Sequence, residues 1–91
     1  MINFFKVRGS SMAPEYLDKD IVIVSNIFPP SINDVVVVRS FDHGNILKRV
    51  VSIDQNVFKV HGDNSSYNST INNVSFKRKD ILGKVILKIR I

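Results

Sequence analysis

A hydroxyl nucleophile is offered by the adjacent Ser10 and Ser11, within Val7–Asp20, written VRGSSMAPEYLDKD. A serine attacks a carbonyl only when a base takes its proton, and a neutral lysine can be that base. The lysine pKa must then fall from about 10.4 toward 7–8. Burial among apolar side chains lowers it by penalising the charged form. Lys48, in NILKRVVSI (Asn45–Ile53), is placed for this. On a strand it shares one face with Ile46 and Val50, Leu47, Val51 and Ile53 fill the other, and Arg49 points away from it. A lysine can equally snorkel to solvent from a sheet edge. Likewise, glycine, serine and proline are ordinary turn residues, so spacing alone leaves both readings open.

Other chemistries have less to work with. His43 and His61 are 18 positions apart, outside any triad motif and without neighbouring ligands at metal spacing. There is no cysteine, which excludes disulfides and thiolate metal sites. Asp18, Asp20, Asp34, Asp42 and Asp54 lie in or beside turn-forming stretches rather than as a carboxylate pair. The four glycines are isolated, so no phosphate-cradling loop is present. The expectation is a site with no metal and no cofactor.

The formal net charge of +5 raises a second class of function. After Phe76, Lys77, Arg78, Lys79, Lys84, Lys88 and Arg90 face only Asp80. This could be a solvated basic face, or a non-catalytic β module binding nucleic acid or a protein partner. Base-stacking aromatics are sparse, with Phe76 near the cluster and Tyr67 in an Asn-rich stretch, so nucleic acid is the weaker partner. The longest apolar runs, Ile21–Val24 and Val35–Val38, are far below the ~18–20 residues of a spanning helix. With no transmembrane segment and no signal peptide in MINFFKVRGS, the expectation is a cytoplasmic protein.

The elements that must position these residues are strands. DIVIVS (Asp20–Ser25) and DVVVVRS (Asp34–Ser40) are β-branched runs separated by NIFPPSIND, whose Pro29-Pro30 marks a loop. FDHG (Phe41–Gly44) turns the chain into NILKRVVSI, and DQN (Asp54–Asn56) turns it into VFKVHG (Val57–Gly62). DNSSYNSTINN (Asp63–Asn73) reads as a loop, and KDILGKV as a short turn at Gly83. In the closing KVILKIRI, Val85, Leu87, Ile89 and Ile91 alternate with Ile86, Lys88 and Arg90, which predicts a half-buried strand with its polar side outward. The helical candidate is a single turn around Pro14–Leu17. The fold expected is mostly β, a single compact antiparallel domain over residues 1–91 with at most one short helical turn.

In order along the chain, five segments resemble the boxes of the signal peptidase and LexA-type serine peptidases. Ser11-Met12 with Pro14, and Asp20 nine residues after Ser11, resembles the serine box; NDVVVVR resembles the Gly-Asp-Val-Val strand; LKRVV resembles the segment carrying the catalytic lysine. GDN (Gly62-Asp63-Asn64) resembles the next box, and ILGKVILKI the closing strand. The resemblance implies that family's catalytic core and a Ser-Lys dyad. Ser11 would be the nucleophile, Lys48 the general base, and the Ser11 backbone N–H an oxyanion donor. Gly9, Ser10 and Met12 would shape the oxyanion and substrate region. Gly9 also stands where many bacterial signal peptidases have a helper hydroxyl. Asp63 and Asn64 would brace the loop, and Ser69 would orient Lys48. Both Gly-Asp turns depart from the pattern, reading Lys19-Asp20 and Asn33-Asp34.

Neither a membrane anchor nor a DNA-binding segment is seen, and ten residues precede Ser11. The resemblance then implies action in trans on a protein or peptide precursor. It runs nearest to the short proteases that mature nickel-containing superoxide dismutase by removing an N-terminal extension. The oligomeric state is left open.

Overall fold

The computed structural model describes residues 2–64 and 74–90. Among them the chain forms seven strands: β1 (Ile2–Lys6), β2 (Ile21–Ser25), β3 (Val35–Ser40), β4 (Gly44–Asp54), β5 (Val57–His61), β6 (Val74–Lys77) and β7 (Ile81–Ile89). They make one sheet in the order β1-β2-β7-β3-β4-β5-β6, with every adjacent pair antiparallel. The mostly β, antiparallel architecture is the one expected from the sequence.

The β-branched runs do the burying. β3 is buried on both faces: Val36 and Val38 join Val50, Phe58, Val60 and Ile81, while Val37 joins Val7, Val22 and Val24 on the other side. This explains why VVVV reads as a continuous apolar run rather than an alternation. The turn residues fit their places. Ser40 pairs with Gly44 across Phe41-Asp42-His43, and Gly44 takes a φ of 71° at the re-entry.

Three local expectations need correction. The helical turn is a 3₁₀ turn at Arg78–Asp80, whereas Pro14–Leu17 is a non-helical turn held by the Tyr16 N–H on the Met12 carbonyl at 2.9 Å. Gly83 lies inside β7, not in a turn. A Cβ there would stand 2.6 Å from Val24 Cγ1 and 2.7 Å from the Ser25 carbonyl oxygen, so close strand approach is what requires glycine. The strand that closes the chain starts at Ile81, and its far end is inverted: Leu87 and Ile89 are exposed, while Lys88 is partly buried opposite the buried Val22. On that face Lys88 reaches the Glu15 carbonyl, and Arg90 beyond it reaches the Asp20 carboxylate, partners suited to cations. Of the late basic residues, Lys84, Lys88 and Arg90 have acidic neighbours. Lys84 lies 3.6 Å from Asp34, Lys88 3.4 Å from Glu15, Arg90 2.9 Å from Asp20, and Asp80 is 3.9 Å from Arg39.

Candidate functional site

Between β1 and β2 the chain makes a long excursion that carries Ser10 and Ser11. Its base is closed by Val7, whose N–H reaches the Asp20 carbonyl at 2.7 Å and whose carbonyl accepts the Lys19 N–H at 2.8 Å. Gly9 enters the excursion at a φ of 79°, and its N–H donates to Asp18 Oδ1 at 2.7 Å. Position 9 therefore has a backbone reason to be glycine: a Cβ would find open space but a strained conformation. Ser10 is exposed and its carbonyl accepts the Ala13 N–H at 3.1 Å; Ser11 is partly buried; Met12 is buried and only 1% exposed. The Ala13-Pro14 bond is cis.

The segment after β5 seizes this turn by its backbone. The Asn64 N–H donates to the Ser11 carbonyl at 2.8 Å, and Asn64 Nδ2 donates to the Ser10 carbonyl at 2.9 Å. The Asp63 N–H points at Met12 Sδ, 3.4 Å away. Asp63 itself is gripped by Arg49 on β4, with Nε to Oδ1 at 2.8 Å and Nη2 to Oδ2 at 2.7 Å. The fork geometry makes this a strong, directional pair. Arg49 Nη1 also donates to the Asn33 carbonyl at 2.7 Å. Arg49 thus links the turn before β3 directly to the GDN segment, whose Asp63 and Asn64 in turn hold the Ser11 turn. Ser11 is brought to the end of the β4–β5 ladder, where Arg49 faces His61.

Lys48 precedes Arg49 on β4 and faces the other way. It stands opposite Val36 in the β3–β4 register, between Ile46 and the buried Val50, and is 1% exposed. That burial pushes its pKa below the ordinary lysine value of 10.5, with desolvation as the cause. Among the described residues, Lys48 is the largest side chain so completely buried. Tyr16 packs against the cluster around Val22 and Val37. Burial raises its phenol pKa, Glu15 adds to the rise, and Arg49 opposes it.

Ser69 lies outside the described residues. Among those described, no group of three or more His, Cys, Asp or Glu side chains could hold a metal ion, and no helix is long and apolar enough to cross a membrane. Arg49 and Tyr16 were not singled out from the sequence as site residues. Arg49 had a readable signal, a cation in LKRVV with an acid waiting in GDN; Tyr16 had none.

The profile of the Peptidase S24-like family matches this chain over residues 2–86. No curated protein matches it.

Proposed function

The chain belongs to the Peptidase S24-like family, and on that footing we propose that it is a Ser-Lys endopeptidase with Ser11 as nucleophile and Lys48 as general base. The observation that carries the reading is the burial of Lys48, a single residue along β4 from the Arg49–Asp63 pair whose next residue holds the Ser11 carbonyl. A lysine kept from water holds its proton less tightly, which is what a base near neutral pH needs.

In the proposed reaction Lys48 Nζ takes the proton of Ser11 Oγ as the oxygen attacks the scissile carbonyl carbon. The C–N bond breaks as Lys48 returns that proton to the leaving amine. Water, deprotonated by Lys48, then cleaves the acyl ester and restores Ser11. The Ser11 backbone N–H stabilises the oxyanion, Ser10 and Gly9 set the local backbone, and Met12 forms the floor. Asp63 and Asn64 keep the turn in place, and Ser69 orients Lys48. The substrate is a protein precursor cut in trans. The first to assay is a nickel superoxide dismutase precursor carrying its N-terminal extension.

The expected outcome is that Ser11→Ala and Lys48→Met each abolish precursor cleavage, read by mass spectrometry of the released extension, while both keep the far-UV spectrum of the parent. Full activity in either variant would sink the dyad. Lys48→Met carries a second expectation. A lysine whose folded pKa lies below its unfolded value costs stability at neutral pH, and that cost fades as pH rises toward 10.5. Lys48→Met is therefore more stable than the parent at pH 7, and its advantage shrinks toward pH 10.5.

A further inference from the structure

The excursion that bears Ser11 has little apolar cover of its own beyond Met12 and Tyr16, since Pro14, Glu15, Leu17, Asp18 and Lys19 are all exposed. Something else must fix it on the sheet to the tolerance a nucleophile requires, about half an ångström. Asp63 and Asn64 hold only its near side, at Ser10 to Met12.

The far side is held from Lys88 on β7 and from Arg90 just beyond its end. Arg90 forks onto Asp20, with Nε to Oδ1 at 3.0 Å and Nη2 to Oδ2 at 2.9 Å, and Asp20 also accepts the Leu17 N–H at 2.9 Å. Arg90 Nη2 lies 3.4 Å from the Glu15 carbonyl oxygen. Lys88 Nζ donates to that same oxygen at 2.7 Å, sits 3.4 Å from Glu15 Oε2, and lies 5.3 Å from the Tyr16 ring centroid. Two cations thus converge on one backbone carbonyl of the turn, and one of them continues to an aspartate only 3% exposed. β7 lies between β2 and β3, so Lys88 stands on an interior strand of the sheet and Arg90 directly follows that strand.

We propose that Lys88 and Arg90 are positioning residues that clamp the Ser11 turn to β7 through Glu15 and Asp20. The assignment rests on the Ser-Lys reading for its catalytic consequence, but the clamp itself is a statement about the turn. It also accounts for the inverted end of β7, where Lys88 is partly buried against the turn while Leu87 and Ile89 are exposed.

The test uses two readouts on the full chain. The first is acetylation of Ser11 by p-nitrophenyl acetate, followed by peptide mapping. Here Ser11 Oγ bonds to the acetyl carbon, p-nitrophenolate leaves, and the hydroxyl proton goes to Lys48. The second is amide hydrogen exchange resolved to residues 9–17. For Arg90→Ala the expected result is acetylation slowed at least tenfold, with exchange at residues 9–17 quickened at least tenfold and β3 and β4 unchanged. Arg90→Lys should recover part of both effects. Lys88→Ala, which removes only partly exposed contacts, should show the same pattern more weakly and covers the case in which Arg90→Ala does not fold.

Unchanged exchange at residues 9–17 in the folded variants overturns the clamp, as does a uniform rise across the sheet. Loosened exchange with unchanged acetylation overturns the positioning role. If the parent is not acetylated at Ser11, or Lys48→Met is acetylated as fast as the parent, the Ser-Lys reading fails instead. The exchange pattern then still decides the clamp.

Discussion

The turns that lead into β2 and β3 are one device built twice. In each, the N–H of an aspartate returns to the carbonyl three residues back: Asp20 to Leu17 and Asp34 to Ser31, both at 3.0 Å. In each, the aspartate Oδ2 accepts the N–H of that same earlier residue, at 2.9 Å from Leu17 and 2.8 Å from Ser31. The residue just before the aspartate is left-handed in both, with φ of 76° at Lys19 and 78° at Asn33. They differ in the cation. Asp20 is 3% exposed and takes both arms of Arg90, whereas the Asp34 side chain is 30% exposed and has Lys84 at 3.6 Å. The aspartate alone suffices to make the turn. A forked guanidinium is what allows the carboxylate to be buried, because a buried charge needs its hydrogen bonds filled.

That contrast can be broken by deleting each carboxylate. Asp34→Ala removes a main-chain cap and a solvent-screened ion pair, an expected loss of about 1 kcal/mol. Asp20→Ala removes the same cap and also strips Arg90 of its carboxylate partner, so its loss must be the larger. Urea midpoints of the two variants decide it. Equal losses would mean that Arg90 contributes nothing beyond the turn.

Acid sharpens the same difference with a smaller effect. The hydrogen bonds from Arg90, then the Leu17 N–H, hold the Asp20 carboxyl at about 2, below its ordinary 3.8. A carboxyl with a lowered folded pKa contributes stability above its unfolded value and loses it as pH falls through the folded one. Stability owed to Asp20 is therefore full above pH 4 and disappears toward pH 2. Asp20→Asn should flatten that part of the acid-unfolding curve, and an unflattened curve would contradict the assignment.

Both turns were legible as turns, and the strands β2 to β5 were legible between their breakers, because those strands bury β-branched runs. The strands that escaped were β1 and β6, which are the two edges of the sheet. INFFK shows no buried residue and VSFK only two partly buried ones, so neither needed an apolar period to fold. Gly83 misled because a strand glycine set by a neighbour's backbone looks the same in sequence as a turn glycine. Among the proposed site residues, Ser11, Lys48, Asp63 and Asn64 could be singled out because they fall in recognisable boxes. Arg90 could not, since its partner Asp20 is 70 residues away and no local pattern joins them.

The two departures from Gly-Asp give the finest comparison. At the third position of such a turn a positive φ is required, and glycine adopts it without the clash that a Cβ brings. Lys19 and Asn33 bear that strain, but not equally, because asparagine tolerates the left-handed region far better than a long side chain does. Lys19 is exposed, so its side chain gives little in return. Lys19→Gly is therefore expected to raise stability by up to about 1 kcal/mol, the relief of strain being partly offset by the extra freedom of glycine in the unfolded chain. Asn33→Gly should gain less, and its carbonyl remains available to Arg49 Nη1 because only the side chain is removed. Thermal midpoints measured side by side test the order. A larger gain at position 33 than at 19 would show that the two backbones are not equivalent, and that Arg49 rather than the aspartate sets the geometry of the second turn.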